Sequence, residues 1–436
     1  LESIGWYVFD GCSSLTEIEL EEGLEKLSGS MFSGCTSLEM LKLPETITEI
    51  GDYAFENCEK LTEIEIPEQT KVIGYGAFQL CKSLPRIKIP KGLESIGSNA
   101  FDSCTSLTEV ELEEGLDTLS SRMFRNCTAI ETVNIPESIH VVPSEIFSGC
   151  TSLENVVLPD TITEIAARAF EGCEKLDGIK IPEQTKVIGY EAFQDCKSLS
   201  QIKISKDLES IEGYAFSGCA GLKNVELEEG LDTLGEGMFR YCSALESIRI
   251  PDSITIIPIS FLDGCSSLKQ IELSQNLVNI ETYAFSGCTS LESLEVPYTV
   301  TNLGYGIVNN CVNLAELILY DSVTTIGSGN FTNNVPKLVL YVEPDSYAYN
   351  YAVENEIPYN YVFNLATKLT IECDSQQWSD YKGMTLTVVN GESRVSRKIG
   401  NEKFYVINNL KSGTECSVTI TNAYGDIIAR KENISI

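Results

Sequence analysis

The sequence predicts an α/β solenoid of stacked 23-residue units, with a parallel strand face and short helical turns, followed by a small all-β sandwich. Cysteines stand at Cys12, Cys35, Cys58, Cys81, Cys104, Cys127, Cys150, Cys173, Cys196, Cys219, Cys242, Cys265, Cys288 and Cys311, each 23 residues after the last, and only Cys373 and Cys416 fall outside the series. A fixed period of this size marks an architecture of stacked repeats. The phenylalanine three residues before the cysteine repeats from Phe9 to Phe331, interrupted only at Leu262, next to Phe261, and at Val308. After Asn364 the period vanishes and short runs of alternating apolar and polar residues replace it.

Each unit reads roughly L-x-x-I-x-I-P-x-x-(L/I/T)-x-x-I-(G)-x-x-A-F-x-x-C. In "LTEIEI", Ile64 and Ile66 show the period-2 alternation of a short strand, with Glu63 and Glu65 facing outward. Pro67 cannot donate to a ladder and closes the strand. "TKVIG" predicts a second short strand through Val72 and Ile73, ended by a glycine turn, and "AFQLC" predicts one helical turn that drives Phe78 and Cys81 inward. No single unit can bury these faces alone, so neighbours must share one long core.

A second period lies above the first. Residues 38–152 and 153–267 align as two blocks of five units: "IPEQTKVIGYGAFQLCKSL" from Ile66 returns as "IPEQTKVIGYEAFQDCKSL" from Ile181. Duplication of a five-unit block accounts for this. Met31, Met123 and Met238 replace the alanine before phenylalanine in units carrying "EEGL", a variation read as core packing in which methionine fills an irregular gap.

The run L-x-x-I-x-I-P-x-x-x-x-x-I-G-x-x-A-F-x-x-C resembles the BspA-like (Treponema pallidum-type) leucine-rich repeats of bacterial surface proteins, over Leu1 to Tyr361. The resemblance implies a curved right-handed leucine-rich-repeat solenoid, an extracellular or cell-surface-attached location and, in some members, adhesion. It carries over no catalytic residue. The start "LESIGWYVFDG" lacks the basic and apolar regions of a signal peptide, and Leu1 aligns with the middle of a unit, so the sequence is expected to be a piece of a longer chain.

The cysteine ladder reads as structure. Equivalent residues in stacked strands sit about 4.8 Å apart with parallel side-chain vectors, a poor geometry for disulfides and a worse one for a tetrahedral metal site. Buried free thiols behaving as small, inert hydrophobes are the expectation.

Towards the end of the repeats, Pro344-Asp345-Ser346 predicts the start of a helix running to about Asn355, stopped by Pro358, with Tyr347, Tyr351 and Val353 turned to the last apolar layer. The expected domains are a solenoid of about fifteen units over 1–343, a helical cap over 344–363, and an Ig-like or fibronectin-like sandwich over 365–436. Within that last segment Asn390-Gly391 signals a hairpin, and Cys373 and Cys416 are candidates for a bridge between its sheets.

Charge narrows the function classes. The net charge is −33, nearly all of it in the repeats, a field that repels nucleic acid and anionic membrane. His140 is the single histidine, and no phosphate loop, nucleophile elbow, cofactor motif or metal-ligand spacing is present, so an enzyme is not expected. Acidic turns such as Glu113-Glu114 leave only a weak case for calcium. The outward strand positions carry stripes of opposite sign, and Glu63, Glu65, Arg86, Lys88, Glu109 and Glu111 are the candidate binding residues. The solvated reading of these charges is modest cross-strand pairing. The functional reading is a monomeric, non-enzymatic adhesion protein that meets an extracellular host or microbial protein, or a glycan; a passive spacer presenting the C-terminal module is the alternative. A binder should show an apolar or aromatic patch on the strand face, or lose affinity steeply with salt.

Overall fold

The computed structural model describes residues 4–331 and 338–362, together with the backbone of six strands between Thr367 and Ser435. The chain forms two compact units, one of Leu1–Leu317 with Ser322–Leu338 and one of Ile318–Asp321 with Val339–Ile436.

In the first unit the turns supply strands to two parallel ribbons, each of them built in segments. The long-strand ribbon comes from L-x-x-I-x-I: Arg86–Ile89 pairs with Glu109–Leu112, Thr132–Asn134 with Asn155–Val157, and Gln201–Ile204 with Asn224–Leu227. Paired residues are 23 apart, as Arg86↔Glu109 and Gln201↔Asn224 show. In Arg86–Ile89 exposed and buried residues alternate, as a half-buried strand requires. The short-strand ribbon is made of two-residue strands such as Glu49–Ile50 and Val72–Ile73, whose second residue is buried.

The short-strand ribbon is not continuous. It falls into three four-stranded segments, from Lys26–Leu27 to Ser95–Ile96, from Val141–Val142 to Ser210–Ile211, and from Ile256–Ile257 to Thr325–Ile326. The units between, at Thr118–Leu119 and Thr233–Leu234, form no strand. Elsewhere the residue after the short strand donates its N–H to the turn before, as Gly97 does to Ile73 O and Ala166 to Val142 O. At the equivalent place after each gap stand Pro143 and Pro258, which have no N–H to give.

The expected helical turn around "AF" is not a helix. Each such segment carries two residues with left-handed backbone, four apart, for example Tyr53 (φ 56°) and Asn57 (φ 58°), or Arg122 (φ 58°) and Asn126 (φ 57°). That spacing breaks an α-helix in every turn. The backbone amides alternate instead: Ala54, Glu56 and Cys58 donate within the turn to Gly51, Tyr53 and Phe55, while Tyr53, Phe55 and Asn57 donate to Tyr75, Ala77 and Gln79 of the next turn. The corner is thus a third set of cross-links between layers.

This corner also organises the core. Phe55, Phe78, Phe101 and Phe124 are fully buried, with successive ring centroids 5.1, 5.1 and 5.6 Å apart in stacked arrangement. Met31, Met123 and Met238 are buried in the same layer.

The cysteines from Cys35 to Cys311 are buried and free, whereas Cys12 is exposed. Their thiols do more than fill space. Each donates to the phenylalanine carbonyl 26 residues earlier, as Cys58 Sγ to Phe32 O (3.2 Å) and Cys150 Sγ to Phe124 O (3.1 Å); Cys288 uses Leu262 O. That same Phe32 oxygen already accepts the Cys35 N–H, so both of its lone pairs are used. The ladder therefore explains why a hydrogen-bonding small hydrophobe recurs there.

In the second unit Val339–Val342 pairs in parallel with Tyr359–Tyr361, and the helix Tyr347–Glu354 starts at an N-cap, Ser346, whose hydroxyl accepts the Tyr349 N–H. Its buried stripe is Ala348 and Ala352; Tyr347 and Val353, expected to face inward, are exposed. The two alanines lie four apart on one helix face, which leaves their immediate neighbours Tyr347 and Val353 turned away.

Farther along, Thr367–Glu372 pairs antiparallel with Phe404–Leu410, and Ser393–Lys398, Thr385–Asn390, Glu415–Thr421 and Ile427–Ser435 form a four-stranded antiparallel sheet. Gly391, Cys373 and the side chain of Cys416 lie outside the described residues, and with them the expected bridge.

Candidate binding surface

The outward positions of the long-strand ribbon fall five and seven residues after each cysteine, and the backbone register holds their side chains in two columns. All six residues singled out from the sequence are exposed on this face: Glu63, Glu65, Arg86, Lys88, Glu109 and Glu111. Arg86 lies in register with Glu109 and Lys88 with Glu111, and Glu63 bridges to Met40.

Their ion pairing is less regular than stripes of opposite sign predict. Arg86 reaches Glu63 at 3.9 Å, but Lys88 Nζ turns from the column to Glu113 (2.8 Å) and Glu68 (3.1 Å). Those bonds raise the basicity of Lys88. Glu113 is correspondingly held below the ordinary carboxylate range, first by Lys88 and then by the Lys91 N–H, which donates to it at 3.2 Å. Its neighbour Glu114 accepts the Glu137 N–H of the following turn at 3.2 Å. The "EEGL" carboxylates thus clamp one turn to the next, and the second block repeats the arrangement: Lys203 to Glu228 (2.6 Å), Lys206 N–H to Glu228 and Asp252 N–H to Glu229.

Large apolar side chains exposed on the strand face are Met40 and Val157, far apart in the stack. A contiguous apolar patch, the sign expected of a hydrophobic docking face, is not what these two make.

Two features escaped the sequence reading. Between Thr132 and Ser293 the first column loses its charges: Thr132, Asn155, Gly178, Gln201, Asn224, Ser247, Gln270 and Ser293 follow one another, all exposed, before Glu316 restores one. A groove of about 580 Å³ opens beside Gln201, Lys203, Lys223, Asn224 and Ser247. The signal was present in the comparison of the two blocks position by position, where Arg86 answers Gln201 and Glu109 answers Asn224.

The second feature is aromatic. At the left-handed corner Tyr53 and Tyr75, Tyr190 and Tyr214, and Tyr283 and Tyr305 form edge-on pairs with centroids 5.3, 5.9 and 5.3 Å apart. A Cβ placed on Gly76 or Gly306 would strike the ring of Tyr53 or Tyr283. These rings cover the backbone of the next turn, a packing role.

His140 is exposed, with Nδ1 2.9 Å from Ser138 O, beside a groove of about 500 Å³ lined by Asp117, Val141, Pro143 and Glu164. The buried thiols are poor nucleophiles because burial pushes them up, Cys35 to about 11 and Cys311 to about 12, with the more enclosed ones higher.

Stacked turns of this period, with this residue pattern, match the BspA type Leucine rich repeat region across residues 1–85, 71–200, 140–269, 186–311 and 261–347. The chain belongs to this family. No curated protein matches it. Among solved structures it is similar to a leucine-rich repeat protein from Bacteroides ovatus, at 26% identity over 83% of this chain and 87% of that one, with a TM-score of 0.68. It is also similar to a leucine rich cell surface protein from Faecalibacterium prausnitzii (24% identity, 80% and 92% covered, TM-score 0.48) and to the leucine-rich repeat protein of T. pallidum (22%, 52% and 77%, 0.29). The family is one of repeat scaffolds, and the match brings no catalytic centre with it. No helix among the described residues is long and apolar enough to cross a membrane.

Proposed function

We propose that this leucine-rich-repeat chain is a non-enzymatic binding protein of the bacterial exterior, which meets an extracellular protein or glycan through its strand face. One observation carries the reading. Between the two blocks the outward strand residues differ at Glu63/Gly178, Glu65/Lys180, Arg86/Gln201 and Glu109/Asn224, while the buried residues beneath them, Ile64/Ile179 and Ile87/Ile202, are the same. A rigid, extended face whose chemistry varies on an unchanging frame suits recognition by repeats. The charged half, with Glu63, Glu65, Arg86, Lys88, Glu109 and Glu111, offers steering; the uncharged first column of the second block offers hydrogen bonds.

The second reading, a passive spacer for the C-terminal module, is favoured by the isolation of Met40 and Val157 on that face. Screening the full chain against extracellular matrix proteins and a glycan array, with charge reversal at Arg86 and Lys88 and a salt titration, separates the two. A spacer binds nothing above background. A binder retains at least one ligand, and one held by the charged half is lost on reversal.

A further inference from the structure

We infer that the uncharged first column of the second block's strand face, which runs beside the charged column of Lys180, Lys203, Glu226 and Arg249, is a docking track for a neutral, hydroxyl-rich polysaccharide, centred on Gln201 and Asn224. The inference rests on the strand-face reading above and names the ligand class for it. Gln201 and Asn224 stand in register on adjacent strands, and the same position of the neighbouring turns is held by Gly178 and then Asn155 on one side and by Ser247 on the other. Parallel neighbours are about 4.8 Å apart, so Gln201 and Asn224 offer two amides at that spacing, with Asn155 reached across Gly178. Each amide carries two donors and an acceptor, and a hydroxyl can serve as either, which suits vicinal sugar hydroxyls. Among the described residues none of these four side chains makes a hydrogen bond to the rest of the protein, whereas Arg86, Lys88, Lys203 and Arg249 are held in ion pairs. The amides are therefore uncommitted.

The surroundings select against other ligands. The groove of about 580 Å³ beside them carries Lys180, Lys203 and Lys223, yet Glu183, Asp207, Glu226 and Glu228 outnumber these, and the chain as a whole is at −33. An anionic glycan gains no net attraction there. Protein partners are held mainly by aromatic or arginine anchors seated in pockets, and this column has neither. Asn155 adds a local detail: a Cβ at Gly178 would strike its Oδ1, so the Asn155 amide lies along the track over the one residue without a side chain. The first block has glutamate there, Glu63.

Affinity electrophoresis of the full chain tests the assignment, in gels containing soluble β-glucan, mannan or arabinoxylan, with polygalacturonate as the anionic probe and gelatin as the protein probe. The expected result is retardation by at least one neutral polysaccharide. The double variant Gln201→Arg/Asn224→Glu, which restores the first block's residues at exposed sites, should weaken it by about tenfold or more with an unchanged melting curve. Arg86→Gln/Glu109→Asn should leave it intact. Failure of all three neutral polysaccharides to retard the protein, or equal retardation of the Gln201/Asn224 variant, overturns the inference. Binding of gelatin or polygalacturonate that is lost on charge reversal at Arg86 and Lys88 also overturns it but leaves the strand-face reading standing, whereas silence across the wider screen removes both.

Discussion

Residues 38–152 and 153–267 are the same structure written twice, and the two copies differ in a patterned way. Inside, Phe55, Phe78, Phe101 and Phe124 answer Phe170, Phe193, Phe216 and Phe239. Most interior changes are apolar for apolar: Leu41/Val156, Val133/Ile248, and the pair Ile146-Phe147 against Phe261-Leu262, in which bulk moves by one position; the buried pair Asp102/Ser217 is an exception. Outside, charges vanish or reverse, with Glu65 against Lys180 and Glu109 against Asn224. An inward side chain meets the layers above and below, so its volume is set by two neighbours at once. An outward one meets water. Among the outward residues that persist, Lys88/Lys203 are tied to the next turn through Glu113 and Glu228, and Glu111/Glu226 lie in register beside them.

If the cores are equivalent, Phe78→Ala and Phe193→Ala should each cost about 3–5 kcal/mol, since their rings stack on the following phenylalanine at the same 5.1 Å. Urea titrations followed by circular dichroism check this, and unequal losses would break the equivalence. The thiol ladder should act next. The folded thiols bind their protons more tightly than unfolded ones, which titrate near about 8.5, because burial raises them. Their stabilisation is complete below that pH and declines as pH rises towards the folded values, by about 1.4 kcal/mol per unit for each thiol. Urea midpoints at pH 7, 9 and 10 should fall steeply, and Cys81→Ala or Cys196→Ala should each flatten the slope to the same extent.

Hydrogen exchange sharpens the comparison further. The amides of residues 118–119 and 233–234 should exchange faster than those of Ser95–Ile96 and Ser210–Ile211, because only the latter sit in ladders. Equal protection would deny that the ribbon is interrupted. The smallest effect belongs to the exposed clamps. Lys88→Ala and Lys203→Ala should each lower the melting temperature slightly and alike. The contribution of Glu113 and Glu228, whose carboxyls are held low by these lysines, is present above the ordinary carboxylate range and is lost as pH falls through the lowered folded values.

Much of this was legible before any coordinates. The 23-residue spacing of cysteine and phenylalanine sets which residues become neighbours, and the register pairs follow it. The helix from Ser346 to Asn355 was legible from its cap. The corner was not: nothing in Tyr53, Leu80 or Arg122 announces a positive φ, since these residues disfavour it and adopt it only because the next turn takes their amides. The proposed binding residues were only half legible. The charged columns drew notice because charge is conspicuous, while Gln201 and Asn224 look ordinary until set beside Arg86 and Glu109.

By itself the sequence determined the stack, because an apolar face repeated at a constant interval has no way to leave water except against its own copies. The tertiary structure decided how the corners turn, where the short ribbon breaks, and which carbonyl each thiol meets. Those depend on hydrogen bonds between residues 22 to 26 positions apart, such as Phe55 to Ala77 and Cys58 to Phe32, and their geometry exists only once the layers are in contact.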